Sequence, residues 1–214
     1  MKELLQPLLY AGLEFLFSAL IVCLTSLSIF ADIFLFDGHI GETTSVELLQ
    51  ALLLAMSIFF FFREAFRKPE YRSGFILAGG FLLCMLIREM DAALDLIRHG
   101  LWAYAAGGAA LVCITLSLHN PRTALQGLNA IVTHRAYGTL SSGMLCVLCF
   151  SRLFGMGVLW EQIMGDNYDR WLKDAIEEGC ELFGYTLTFL AALRYAGIPR
   201  FGRRKRESTA QAVE

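Results

Sequence analysis

The stretch LLYAGLEFLFSALIVCLTSLSIFADIFLF, at residues 8–36, contains only two charged side chains, Glu14 and Asp32. A helix rises about 1.5 Å per residue, so about 20 apolar residues cross the hydrocarbon core of a bilayer. The stretch is longer than the apolar part of a secretory signal and lacks an A-x-A-like cleavage site. We therefore predict that it forms a retained first transmembrane helix.

Further apolar segments follow along the chain, between short clusters of charge. We predict transmembrane helices at residues 44–66, 73–97, 101–118, 139–160 and 168–196. Thr44 and Glu47 have the spacing of a capping box, and Pro69 cannot continue the second helix. With 56% hydrophobic and only 18% charged residues, the composition is that of a membrane protein. The expected fold is an all-α bundle of six transmembrane helices, forming one domain over residues 1–200.

A short amphipathic helix is predicted between the fourth and fifth transmembrane helices. Asn120 followed by Pro121 is a typical helix start, with an N-cap residue before proline. Apolar side chains then recur on one helical face, at Ala124, Leu125, Leu128, Ile131 and Val132. We expect this helix, which extends to about residue 134, to lie in the cytoplasmic interface of the membrane.

The loop charges predict the orientation of the bundle. Basic residues collect after the second and fourth predicted helices and in the C-terminal tail, at Arg63, Arg67, Lys68, Arg72, Arg122, Arg135, Arg203, Arg204, Lys205 and Arg206. By the positive-inside rule, both termini are cytoplasmic, and we expect a bacterial-type inner (plasma) membrane. The basic tail at residues 201–214 is expected to be disordered and attracted to anionic lipid headgroups. The net charge of −2 does not indicate a nucleic-acid partner.

Ionisable residues interrupt the apolar segments in the half of the bundle expected to face outward. The candidate site comprises Arg88, Glu89, Asp91, Asp95, His99, Arg152, Glu177, Glu178, Glu181 and Tyr185. On the third helix the charged residues share one face about 100° wide, apart from Glu89. The carboxylates of the sixth helix recur at i, i+3, i+4 and i+7 from Asp174, which also gives one face. We expect Arg88 and Arg152 to pair with acids of the third and sixth helices.

The acids in this cluster outnumber the bases. Arg88, Arg98 and Arg152 supply three positive charges, against six carboxylates on the third and sixth helices, or seven with Glu89. Three hypotheses remain open: an ion-paired belt that fixes helix packing, a cation site, and a path for a proton or small polar solute. The ion-paired belt would suit a structural or accessory subunit. The cation site would suit either transport or a metal-dependent membrane hydrolase, and the path would suit binding or transport of a proton or small polar solute.

A divalent cation is the cofactor that these residues would suit. Asp95 with His99 at i, i+4 and Glu178 with Glu181 at i, i+3 would present oxygens and one imidazole from two facing helices. Haem is not expected, because His119 and His134 have no partner at the depth that a b-type haem needs. The six cysteines lie in apolar segments, which argues against a disulfide framework.

Two further patterns concern helix packing. Glu14, Ser18, Thr25 and Asp32 lie on one face of the first helix, which is typical of hydrogen bonding between helices, although such a stripe would also suit a path across the membrane. Glycines on the third and fourth helices predict close packing of that pair, at Gly74, Gly79, Gly80, Gly107 and Gly108. No G-x-S-x-G, H-E-x-x-H or Walker motif is present, so an enzymatic activity is not assigned. Homo- or hetero-oligomers are both compatible with the sequence.

Overall fold

The computed structural model describes residues 2–35 and 44–199, and these residues are helical with no strand. The helices are α1 Lys2–Leu35, α2 Ser45–Arg67, α3 Arg72–Glu89, α4 Asp91–Asp95, α5 Leu101–Leu118, α6 Pro121–Val132, α7 Tyr137–Leu145, α8 Arg152–Phe154, α9 Gly157–Met164 and α10 Arg170–Tyr195. A π-helix at Cys146–Ser151 joins α7 to α8. The predicted tail at residues 201–214 lies outside the described residues.

Five helical segments of the described chain are long and apolar enough to cross a membrane. They are Leu5–Asp32, Ser45–Arg67, Pro69–Glu89, Leu101–Leu118 and Tyr137–Phe154. These apolar helices indicate a membrane protein. The helix α10 is not one of the five, because charged side chains occupy much of its first half.

The helix α10 lies at the centre of the bundle. It packs against α1, α2 and α7, while α2 also contacts α3, and α3 in turn contacts α5 and α6. Nearly every residue of α10 from Glu181 to Tyr195 is buried or half-buried, whereas α1 is mostly exposed. A helix enclosed by its neighbours does not need an apolar surface all round, which explains why α10 tolerates so many polar residues.

Side-chain contacts divide the bundle into two ends. The acidic end, defined here by Glu47, Glu89, Asp95, Asp174 and Glu177, contains the first turns of α2 and α10 and the last turn of α3. The basic end is defined by Arg67, Lys68, Arg72, Arg122, Arg135 and Arg194. At the acidic end, Asp32 of α1 accepts hydrogen bonds from the backbone N–H groups of Ser45 and Val46, at 3.3 and 3.0 Å. The residues that define the acidic end therefore lie at one end of the bundle, and those that define the basic end lie at the other.

The predicted helix starts are found, with one difference in how they are capped. Thr44 precedes α2, and its hydroxyl oxygen accepts a 3.3 Å hydrogen bond from the backbone N–H of Glu47. The amphipathic helix α6 begins at Pro121, but the side chain of Asn120 makes no capping hydrogen bond. Leu125 and Leu128 of α6 remain exposed, while Ile131 is buried.

Two transmembrane helices end earlier than predicted. The helix α3 stops at Glu89 and is followed by the short α4, so the continuous helix expected to residue 97 does not form. The fifth predicted helix ends at Phe154, and α9 begins after a break at Gly155. The common face calculated for residues 88–99 assumed an unbroken helix and is corrected by this break.

The predicted close packing of α3 against α5 is found, and three of the five predicted glycines, Gly74, Gly79 and Gly80, lie at close contacts. Gly107 and Gly108 have open space where a Cβ would lie, whereas Gly80 of α3 meets Cys113 of α5. The closest approach of α7 to α10 is at Gly143 and Gly184, where a Cβ on either would lie within 2.8 Å of the carbonyl oxygen of the other. These two glycines bring the π-helix against α10.

Candidate functional site at the acidic end

Arg152, the first residue of α8, is the cation that organises the acidic end. One terminal nitrogen of its guanidinium hydrogen-bonds Oε1 of Glu181, and the other lies 3.4 Å from Oε1 of Glu177. Glu181 is only 3% exposed, while Arg152 is 43% exposed. A buried carboxylate is costly without a cation, so this pair holds α8 against α10.

The π-helix at Cys146–Ser151 sets the direction in which the Arg152 side chain extends. Ser151 is fully buried, and its hydroxyl oxygen lies 2.6 Å from the carbonyl oxygen of Val147 and 3.2 Å from Oε1 of Glu181. The thiol of Cys146 donates to the carbonyl oxygen of Cys180 at 3.2 Å. Extra residues in a π-turn rotate the side chains that follow, and π-turns are frequent at functional sites. Ser151 and Arg152 consequently reach the same carboxylate.

Both arginines lie nearer to a helix end than the sequence indicated. Arg88 is in the last turn of α3 and Arg152 is two residues before the end of α8, because both helices end early. Each is 43% exposed. The two arginines therefore lie at helix ends, while Glu181 and Tyr185 of the same cluster are buried in the bundle.

A lysine absent from the sequence-based site completes this ion-pair network. Lys173 Nζ lies 2.8 Å from Asp174 Oδ1 and 3.2 Å from Glu177 Oε2, and it donates to the carbonyl oxygen of Gly155 at 3.4 Å. Asp174 also lies 3.5 Å from Nε of Arg170. The outer two carboxylates of α10 are thus neutralised by bases on their own helix and by Arg152.

Glu178 has a different kind of partner from its neighbours. Both N–H groups of the Gln50 amide point to Glu178, with Nε2 at 2.8 Å from Oε2 and 3.1 Å from the backbone carbonyl oxygen. Gln50, on α2, is 1% exposed. Among the described residues, no basic side chain lies within salt-bridge distance of Glu178. Three more carboxylates, Glu47, Glu89 and Glu177, are close enough to interact with it electrostatically.

Tyr185 links α10 to the end of α3. Its ring is fully buried, and its hydroxyl donates a 2.7 Å hydrogen bond to Oε1 of Glu89. The same oxygen of Glu89 lies 3.4 Å from Arg88. Arg88 therefore pairs with an acid of its own helix, which is one of the two helices predicted to supply its partners.

Asp95 and His99 lie in the connection between α3 and α5, away from the glutamates of α10. Asp95 accepts a 2.9 Å hydrogen bond from the backbone N–H of Gly100 and lies 2.8 Å from Nδ1 of His99. The Gly100 N–H and then His99 hold the pKa of Asp95 below its ordinary value of 3.8. Asp91 accepts only from the backbone of Ala92, at 2.7 Å. These contacts close the turn before α5.

The four predicted metal ligands fall into separate places. Asp95 and His99 contact each other, Glu178 contacts Gln50, and Glu181 contacts Arg152. The part of the chain that the structure describes contains no group of three or more histidine, cysteine, aspartate or glutamate side chains placed to hold a metal ion. Nothing in the described geometry therefore favours a divalent cation or a metal-dependent hydrolase.

The polar stripe of α1 faces α10 and the start of α2. Glu14 Oε1 lies 2.9 Å from Nε of Arg194, and Thr25 accepts a 3.2 Å hydrogen bond from the hydroxyl of Thr186. Asp32, 3% exposed, binds the first N–H groups of α2 as described above. The stripe is occupied by contacts between helices, which is the interpretation that its pattern favours.

Gln50, Ser151 and Lys173 contribute to the site, although the sequence-based set omitted them. Gln50 lies three residues after Glu47, on the same face of α2. Two polar residues on one face of an otherwise apolar helix could have indicated that Gln50 belongs to the site. Lys173 precedes Glu177 by four residues, which is also a visible ion-pair spacing. Ser151 gave no signal, because only the π-helix turns it toward Glu181. Comparison of the chain with protein-family models, curated proteins and solved structures finds no match.

Proposed function

We propose that this chain is a six-span protein of a bacterial-type plasma membrane, with cytoplasmic termini, that binds a cation at Glu178 from the outer side. The sixth span is α10. Its 26 residues correspond to about 39 Å of helix, which is long enough to cross the hydrocarbon core. Its central position and the partners of its polar side chains support a transmembrane placement in spite of its composition. The location of the basic end supports the orientation.

The environment of Glu178 carries the functional proposal. Its neighbours Glu177 and Glu181 both contact Arg152, whereas Glu178 contacts the neutral amide of Gln50. The carboxylates of Glu47, Glu89 and Glu177 interact with it electrostatically. An acid in this position lacks the compensating charge that a purely structural ion pair supplies, and such acids in membrane proteins mark paths for protons and cations.

A proton is the cation that best fits this geometry. The described residues place no three ligating groups together for a metal ion. A proton requires only one carboxyl oxygen, and Gln50 can hold the second oxygen in either protonation state. Tyr185 lies seven residues after Glu178 on the same face of α10, and its hydroxyl donates to Glu89 of α3, so this pair offers the next donor and acceptor. A small cationic solute that donates hydrogen bonds would suit the same oxygens.

Infrared difference spectroscopy of the lipid-reconstituted protein tests this assignment during a pH titration. We expect a carbonyl band of a protonated carboxylic acid that titrates in the wild type and is lost in Glu178→Gln. The matched control is Glu177→Gln, which removes an acid one residue away that is paired with Arg152 and Lys173. The control should keep the band. An unchanged band in Glu178→Gln would exclude Glu178 as the site.

A structural or accessory subunit is the second candidate. It is favoured because both terminal nitrogens of Arg152 are engaged by carboxylates. Glu177 and Glu181 both contact this arginine, and the adjacent Ser151 also contacts Glu181. Such contacts are those of an ion pair that fixes helix packing. Under this alternative, no single carboxylate would titrate independently of unfolding. Glu178→Gln would then leave both the infrared titration and the stability unchanged.

A further inference from the structure

A cleft at the basic end, far from Glu178, has the features of a site for a phosphate-bearing group. It is an open cavity of about 430 Å³ between α1, the last turn of α10 and the loop that precedes α7. Its lining consists of Ala11, Glu14, Phe15, Ser18, Arg135 and Arg194. It holds two arginines and one carboxylate, so its formal charge is positive.

Arg194 forms the fixed part of the cleft. Its Nε lies 2.9 Å from Oε1 of Glu14, and its two terminal nitrogens donate to the hydroxyl oxygens of Thr139 at 2.9 Å and Ser18 at 3.2 Å. The side chain is 19% exposed. Three helices thereby hold this guanidinium in one orientation, and Glu14 is neutralised.

Arg135 supplies the charge that remains. Its nearest carboxylate oxygen, in Glu14, is 4.0 Å away, and that carboxylate is already engaged by Arg194. Arg135 is 66% exposed. A guanidinium binds phosphate oxygens through two parallel N–H groups, so Arg135 offers a bidentate anion site at the mouth of the cleft.

The depth and the apolar rim of the cleft indicate a lipid. Glu14 precedes Asp32 by 18 positions, or about 27 Å of helix, which is close to the roughly 30 Å thickness of the hydrocarbon core. With Asp32 at the acidic end, the cleft then lies near the opposite headgroup layer. Phe15 and Leu8 of α1 are 71% and 69% exposed beside it. Acyl chains would cover such side chains, whereas a free anion would not.

We propose that this cleft binds the headgroup phosphate of an anionic phospholipid, with Arg135 as the principal contact and the exposed face of α1 beside the acyl chains. Basic pockets between transmembrane helices on the cytoplasmic side recognise anionic headgroups in this way. The site is distinct from the general attraction of the C-terminal tail to a charged surface.

Titration of the detergent-purified full chain with short-chain lipids tests the proposal, with the melting temperature as the readout. Dioctanoyl phosphatidylglycerol should raise the melting temperature, while dioctanoyl phosphatidylcholine and inorganic phosphate should not. Arg135→Gln should weaken the phosphatidylglycerol response by about tenfold in concentration, as expected for loss of a charged hydrogen bond. The matched control is Arg122→Gln, which removes an exposed arginine of the same end outside the cleft and should respond like the wild type.

Three results would overturn the proposal. Equal responses in Arg135→Gln and the wild type would exclude the cleft. If Arg135→Gln and Arg122→Gln weaken the phosphatidylglycerol response equally, the response is due to general surface charge and not to the cleft. If inorganic phosphate raises the melting temperature as much as phosphatidylglycerol does, the cleft binds a free anion and the lipid proposal fails.

Discussion

The buried carboxylate of Glu181 on α10 accepts a hydrogen bond from Arg152, which the π-helix at Cys146–Ser151 delivers to it. A buried ion pair of this kind contributes little compared with an apolar pair, but removal of one partner strands the other charge. The pair therefore determines how mutations at the acidic end affect stability.

Arg152→Gln should lower the free energy of unfolding by about 2–3 kcal/mol, because Glu181 is left 3% exposed with only Ser151 as a neutral partner. SDS titration in mixed micelles measures this loss. Arg88→Gln is the control, since Arg88 is also 43% exposed but pairs with a less buried acid. It should cost about 1 kcal/mol or less. Equal losses in the two variants would contradict the role given to Arg152.

The double variant Arg152→Gln/Glu181→Gln should be more stable than Arg152→Gln alone. Both charges are then absent, so no buried carboxylate remains without a cation. A double-mutant cycle in the same micelles should give a coupling energy of about 1–3 kcal/mol. Additive losses would show that the two side chains do not depend on each other.

Gly184→Ala should destabilise the bundle by about 1–3 kcal/mol, because the added methyl overpacks the contact between α7 and α10. Its Cβ would lie 2.5 Å from a methyl group of Val147 and 2.8 Å from the carbonyl oxygen of Gly143. Gly107→Ala is the control, since a Cβ there meets open space. That variant should be neutral or more stable by up to about 1 kcal/mol. Similar effects of the two substitutions would argue against close packing at Gly184.

Acidification should weaken the turn before α5. The lowered pKa of Asp95 means that its stabilising contribution is present above the ordinary value of 3.8 and is lost as the pH falls through the lower folded value. The difference in melting temperature between the wild type and Asp95→Asn should therefore shrink as the pH falls below 3.8. His99→Gln should retain most of the pH dependence, because the N–H of Gly100 is the main cause of the shift. A difference that stays constant across this range would exclude Asp95 as the titrating group.

Local patterns predicted the start of α2 at Thr44 and the bounds of α5, because apolar runs there meet capping residues or Gly100. The end of α3 was not predictable, since Asp91 and Asp95 continue a helical spacing beyond the break at Met90. Helix ends depend on how polar side chains bond the free backbone groups, and here Asp95 instead bonds the N–H of Gly100.

The candidate site was predicted in its residue types but not in its pairings. The spacing of Glu177 and Glu181 on α10 indicated a shared face, and both reach Arg152. The partner of Glu178 was missed, because contacts between α2 and α10 depend on tertiary packing across 128 positions of the chain. The close contact of Gly143 with Gly184 was likewise not predictable, because it depends on how α7 packs against α10.

The proposed cation site requires that α10 cross the membrane, since this places Glu178 within the bundle. Single cysteines at Asp166 and Ile198, in a chain with its six native cysteines replaced, flank this helix. In intact cells, a membrane-impermeant maleimide should label Asp166→Cys, while Ile198→Cys should be labelled only after permeabilisation. Labelling of both positions from the same side would contradict a transmembrane α10 and the carboxylate site built on it.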